Sequence, residues 1–232
     1  MSSSFASRFK AHLVPARIVR ATSLAVLLAA VGCRPAQSGP PPEPAQPAQP
    51  AQIQDTSALK PPPGARVAIV EFDDLECPAC AHANPVLKEA AAKYKIPWIR
   101  HDLLIPSHIW SRNAAVRARW FDTRSKALGD EYRDEVFANQ SYIYNLAMLS
   151  QFTEKFAQGH GISLPFAIDP EDKLAAEVQA DNDLGKRTGI TQTPSIFIVA
   201  ANSKGAPFIR VKNVDQDLYQ DIDQAIADTR GK

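Results

Sequence analysis

Cysteine is scarce in this chain, three among 232 residues, and the scarcity narrows the chemistry. Cys77 and Cys80 form one Cys-x-x-Cys pair. With no second pair, a structural zinc site lacks half of its four protein ligands. A c-type haem attachment needs His directly after the second cysteine, and here Ala81 stands before His82. Long apolar runs are missing too: Ala21–Gly32 falls short of the ~20 residues a membrane-crossing helix needs. Nor is one sign of charge in excess, with 26 basic and 25 acidic residues. Such a balance provides no basic footprint for a nucleic acid.

What is present begins with an export signal. Arg8, Lys10, Arg17 and Arg20 form a positive segment without an acid, followed by the short apolar run and then Ala30-Val31-Gly32-Cys33. That ending resembles a bacterial lipoprotein signal, in which Cys33 would be lipidated and become the mature N-terminus. Removal of residues 1–33 leaves 22 basic against 25 acidic residues, a net of −3. Residues 34–64 hold ten of the nineteen prolines, with Pro-Ala-Gln repeated at Pro44, Pro47 and Pro50. A segment with so little to bury reads as a semi-rigid spacer, on the order of 90 Å if fully extended. The folded part is expected to span residues 65–230.

Within it, Ala65 to Phe72 reads as a buried strand and Ala79 to Tyr94 as a helix, with the cysteine pair at the junction. Cys77 falls at the helix N-cap and Pro78 at the first helical position, where a missing N–H costs nothing. The open N–H groups and positive dipole end there favour a thiolate, so Cys77 is the attacking sulfur. Cys80, one turn on and facing inward, is the resolving thiol. Asp73, Asp74 and Glu76 read as solvated loop charges, with Glu76 placed to oppose the Cys77 anion. Ile96 to Leu104 is the next strand, parallel to the first, and Pro85 is expected to kink the helix between them. Helical patterns follow at 110–124, 130–138, 145–158 and 170–187, the last with Asp169 as N-cap. Ser195 to Ala200 and Pro207 to Val211 form a hairpin, and Asp215 to Thr229 a closing helix. His82, His101, His108 and His160 are scattered and read as surface or structural histidines.

Two motifs carry a family resemblance. Glu71-Phe72-Asp73-Asp74-Leu75-Glu76-Cys77-Pro78-Ala79-Cys80 resembles the active-site strand and helix start of DsbA-like thiol:disulfide oxidoreductases, a branch of the thioredoxin superfamily. Gly189-Ile190-Thr191-Gln192-Thr193-Pro194, with the strand after it, is similar to that family's Gly-Val-x-Gly-Thr-Pro segment. The resemblance implies an α/β, thioredoxin-like fold with an inserted helical domain at about 107–187. It implies that Glu71 moves the Cys80 proton and that Thr193 and a cis Pro194 hold substrate across from Cys77. Two departures stand out. Ala79 replaces the His of the strongly oxidising members, and Gln192 replaces a Gly. Alanine has no ring N–H for the anion, which predicts a milder oxidant, nearer the thioredoxin end of the scale at about −150 to −250 mV.

The resulting expectation is an envelope enzyme on the periplasmic side of a bacterial cell, lipid-anchored through Cys33. It needs no cofactor beyond the Cys77–Cys80 disulfide, and its partners are protein thiols and a redox recycling protein. A rival from another class is a non-enzymatic module holding a soft ion such as Cu(I) on the same cysteines. The anchor has a direct check: Cys33→Ser should release the protein from the membrane fraction. Unchanged fractionation, with no acyl mass on the unaltered protein, would reduce the segment to an ordinary signal peptide.

Overall fold

The computed structural model describes residue 53 and residues 55–229. The signal segment, Cys33 and most of the proline-rich spacer lie outside the described residues. β1 (Val67–Asp73) is buried at all seven positions, as a strand covered on both faces must be. α1 (Pro78–Tyr94) follows and runs on through Pro85, which lies on its exposed face. It stops at Lys95, whose left-handed φ of 53° turns its N–H back to the Ala91 and Ala92 carbonyls. β2 (Trp98–Asp102) then pairs parallel to β1. Next come α2 (Ser111–Asp122), α3 (Lys126–Ala138), α4 (Leu146–Gly159) and α5 (Lys173–Thr188). β3 (Ser195–Ala200) returns antiparallel to β1, β4 (Phe208–Arg210) pairs with β3, and α6 (Leu218–Asp228) closes the chain. The sheet order is β2-β1-β3-β4. No described helix is long and apolar enough to cross a membrane.

Alternation along the strands divides the core. Val67, Ile69 and Ile198 point to one face, under Ala83, Leu87 and Ala90 of α1 and Leu218 and Ile222 of α6. Ala68, Val70, Phe72, Phe197 and Val199 point to the other, with Leu103 and Ile190. Leu59 is buried in that second layer, and Ile53 and Ala58 pack against it. The folded part therefore begins before residue 65, because an apolar side chain in the spacer found a hydrophobic face to cover. A third cluster joins Trp110, Phe121, Tyr132, Val136 and Leu149 of the helical block to Leu75, Cys77 and Cys80. The cysteine pair thus sits on the seam between sheet and helical block.

Two expected helix starts are corrected. α3 begins at Lys126 and not at residue 130, because Ser125 caps it by accepting the Leu128 N–H. α5 begins after Asp172, in a left-handed conformation, and not at Pro170. Asp169 still serves the helix from a distance: its Oδ2 accepts the Ala175 N–H at 2.7 Å, across an intervening turn.

The helical block is closed by a charge pair. Arg133 on α3 donates from both terminal nitrogens to Asp122 at the end of α2, at 2.9 and 2.7 Å. Its side chain is only 7% exposed, so loss of the acid would strand a buried cation. Gly129 makes this possible: a Cβ there would overlap the Asp122 carboxylate and come within 2.9 Å of the Asp122 backbone nitrogen. Helix propensity alone favours Ala over Gly by about 1 kcal/mol. We expect Gly129→Ala to destabilise by about 2–4 kcal/mol instead, through displacement of Asp122 from Arg133. Gly159→Ala, where nothing lies within 4 Å, should be neutral or stabilising by less than about 1 kcal/mol. Urea denaturation of both variants decides; equal shifts would contradict the role given to Gly129.

Candidate active site

The chain leaves β1 at Asp73 and turns at once into α1. The Cys77 N–H bonds to the Asp74 carbonyl at 2.9 Å, and the Cys77 carbonyl accepts from the Cys80 and Ala81 N–H groups at 3.1 Å. Cys77 is the N-cap residue, with extended φ and ψ of −80° and 119°, and Pro78 is the first helical residue. Its protonated side chain makes no capping hydrogen bond, so the open N–H groups of the first turn remain directed toward the sulfur. Both cysteines are free thiols. Cys80 is fully buried, whereas Cys77 keeps 7% of its surface. Pro78 and Ala79 are exposed beside it.

The two sulfurs are electrostatically opposite. The Cys77 pKa falls to about 5, chiefly because the Cys80 thiol donates to its sulfur. Burial opposes this, while Thr193 and the Cys80 and Ala79 backbone N–H groups add to it. The same bond works in reverse on Cys80. Burial first, then its hydrogen bond to Cys77, then the nearby Asp73 and Glu71 carboxyls push that thiol far above its ordinary range. One sulfur is an anion near neutrality, and the other is its fixed donor.

Thr193 faces Cys77 across the site. The Cys77 Sγ lies 3.5 Å from the Thr193 carbonyl oxygen, to which the thiol donates. The Thr193 hydroxyl is buried and has no partner with the thiol protonated; it is a ready donor once the sulfur is an anion. The Thr193–Pro194 peptide is cis. Gln192 is exposed, and its carbonyl accepts the Ser195 hydroxyl at 2.9 Å, which ties the turn to β3.

Glu71 is 1% exposed beneath α1. Burial and the Asp73 charge raise its pKa to about 8, against Arg100 and a 3.0 Å hydrogen bond from Trp98 Nε1. An acid in that range can take or return a proton near neutral pH.

The acids between Glu71 and Cys77 need correction. Asp73 and Asp74 are each only 2% exposed, not solvated loop charges. Asp73 belongs to β1 itself, and burial raises it to about 7. Asp74 turns inward because its carboxylate has backbone donors to satisfy: Glu76 N at 2.8 Å and Ile105 N at 2.9 Å. Its Oδ2 also lies 3.0 Å from His108 Nδ1. Glu76 does not face the Cys77 sulfur. Its Oε2 accepts from Trp110 N at 2.7 Å and Ser111 N at 3.0 Å, at the positive end of α2. The charge expected to oppose the thiolate is spent on a helix end instead.

Some participants were not anticipated. Gln140 Nε2 donates to the Leu75 and Cys77 carbonyls at 2.8 and 3.1 Å, holding the loop from the helical block. Nothing in the spacing of a lone Gln 63 residues away announces that contact. Arg100 lies under the site, stacked 3.8 Å from the Trp98 ring centroid. Its place opposite Glu71 in the β1–β2 register was open to a reading of the two strands together. Among the other histidines, His82 pairs with Asp215 at 3.0 Å on the surface and His101 with Asp181 at 2.9 Å.

Comparison with known proteins agrees with this architecture. No curated protein matches the chain. Among solved structures it is similar to Pseudomonas aeruginosa DsbA2, at 19% identity and a TM-score of 0.53, over 75% of this chain and 96% of that one. It is similar to the thiol-disulfide exchange protein alpha-DsbA2 of Wolbachia pipientis, at 18% identity and a TM-score of 0.55, over 71% and 84%. Proteus mirabilis ScsC in a transitional conformation follows at 17% identity and a TM-score of 0.56, over 72% and 71%. At these identities the likeness speaks for the fold. Residues 62–206, well over half of the chain and the stretch that holds both Cys77–Cys80 and Thr193–Pro194, match the family model described as Thioredoxin; the chain belongs to the thioredoxin family.

Proposed function

We propose that this protein is a thiol:disulfide oxidoreductase of the bacterial cell envelope, exchanging disulfides with protein thiols through Cys77 and Cys80. The observation that carries the reading is the geometry of the pair: Cys77 at the N-cap of α1 facing the cis Thr193–Pro194 turn, with Cys80 buried one turn further on. In the reducing direction the Cys77 thiolate attacks a substrate disulfide, a mixed disulfide forms, and Cys80 displaces the substrate sulfur. In the oxidising direction the steps reverse. The Thr193 backbone borders the sulfur and is suited to pair with an extended substrate strand. A lipid anchor on Cys33 and a proline-rich spacer would hold the domain on the periplasmic side of a membrane, where a recycling partner resets its redox state. The alternative, a module holding Cu(I) on the same two cysteines, would instead show tight stoichiometric Cu(I) binding by the reduced protein with no turnover of a disulfide substrate.

Removal of the resolving thiol tests the exchange. Cys80→Ser should accumulate a covalent complex with disulfide-bearing proteins, released by reductant, and peptide mapping should place the bond at Cys77. Trapping through no cysteine, or equally through Cys80 in a Cys77→Ser protein, would remove the assignment.

The redox poise follows from the thiolate. A Cys77 pKa of about 5 lies between the roughly 3.5 and roughly 7 that bracket strongly oxidising and reducing Cys-x-x-Cys thiols. The potential should accordingly fall between about −120 and about −270 mV. Ala79→His adds a ring N–H beside the sulfur and should lower the Cys77 pKa and raise the potential together. Equilibration with glutathione at fixed pH measures it. A variant that moves neither quantity would show that residue 79 does not tune the anion.

A further inference from the structure

β1 carries a second buried acid that neither packing nor the exchange of sulfurs explains. Asp73 is 2% exposed, and its Oδ2 has no hydrogen-bond partner. Side chains alternate along a strand, so Asp73 shares a face with Glu71 and Ile69, the face that α1 covers. Cys80 points down from α1 onto the same side. An ionised carboxylate left unpaired in such a place is costly, which a merely structural side chain would not be expected to bear.

The surroundings supply a complementary group. In the β1–β2 register Glu71 stands opposite Arg100 and Asp73 opposite Asp102. Arg100 Nη1 is buried and also has no partner, while its Nη2 donates to Asn84 Oδ1 of α1 and lies 3.5 Å from Asp134 Oδ1 of α3. The Arg100 charge acts on both Asp73 and Glu71. Trp98 and Arg100 also line a cavity of 720 Å³ beside Lys88 and Asp134, between α1, β2 and α3. The charged and titratable groups acting on Asp73 come from each packed element: Glu71 and Asp74 from its own segment, Arg100 and Asp102 from β2, Arg133 from α3 and Cys80 from α1.

We propose that Asp73 and Glu71 act as a pair carrying one proton between them, and that this pair, not Glu71 alone, exchanges the proton of Cys80. The inference rests on the disulfide-exchange reading above. Two buried carboxyls on one strand face resist double ionisation, so near neutrality one is acid and one is base. When a mixed disulfide is resolved, the Cys80 S–H proton passes to the ionised member, directly or through water. The Cys80 electron pair forms the bond to Cys77 Sγ, the bond from Cys77 to the substrate sulfur breaks, and the substrate leaves as a thiolate that solvent protonates. Reversal returns the proton from the pair to Cys80. The Arg100 guanidinium compensates the net negative charge of the pair.

The test is single-turnover resolution of a mixed disulfide between Cys77 and a disulfide-bearing peptide, followed against pH. Unaltered protein, Glu71→Gln, Asp73→Asn and the double variant are compared, with folding checked by thermal denaturation. Each single variant should slow resolution near pH 7 yet keep an inflection near neutrality, because one carboxyl remains. The double variant should lose the inflection and fall by about 100-fold or more. A Glu71→Gln protein as slow and as featureless as the double variant would overturn the proposal, as would an Asp73→Asn protein indistinguishable from the unaltered one. Trapping by Cys80→Ser is independent of these carboxyls, so failure here leaves the exchange reading standing. Should a substitution prevent folding, carboxyl-carbon NMR of the unaltered protein labelled at Asp gives a second reading. Asp73 should titrate well above the ordinary value of about 3.9, and higher with Cys77 and Cys80 reduced than oxidised. An ordinary midpoint in both redox states would overturn the proposal.

Discussion

The unequal burial of two thiols one helical turn apart is the constraint on which the rest of this site depends. Burial pushes the Cys80 thiol up and its interaction with Cys77 adds to this, while the same interaction is the largest cause that lowers Cys77, so a pair of chemically identical side chains becomes an anion and a proton donor. Geometry comes from α1: the i to i+3 spacing places both sulfurs on one turn, with Pro78 fixing the entry. Burial makes the difference durable. Cys80 lies in the cluster that joins sheet to helical block, so its thiol cannot trade Cys77 for water.

Negative charge around the sulfur is managed by position. The six residues before Cys77 contain four acids, an unfavourable setting for an anion. Glu76 is drawn to the α2 N-terminus, and Asp74 to the backbone of Glu76 and Ile105. Glu71 and Asp73 lie below, where burial keeps their pKa values near neutrality and Arg100 offsets what charge they carry. Gln140 then pins the loop from the helical side. The inserted helices do more than cover the sheet; they supply the groups that hold the acids away from Cys77.

Much of this was legible in the residues. The order of elements followed from apolar periodicity and turn residues, and Cys77, Pro78 and Cys80 stand at the helix start that their spacing requires. Thr193 and Pro194 were reached only through resemblance, since nothing local shows that a turn 116 residues away meets Cys77. The acids were misread for a related reason. Asp73 and Asp74 look like a solvated loop in isolation, but β1 runs one residue further than its apolar run, and tertiary partners drew Asp74 inward. Period-two alternation from Glu71 would have placed Asp73 on the buried face. No sequence rule would have found Gln140, because its contact is set by how α3 ends against the loop.

The state of Cys77 is the claim on which all of this turns. The thiolate absorbs near 240 nm, so a pH titration of the reduced protein, with the oxidised protein as blank, reads it directly. A midpoint of about 5 is the predicted result, with a rise when Cys80 is replaced by Ala. A midpoint near the free-cysteine value of about 8.5, unmoved by that replacement, would contradict the account.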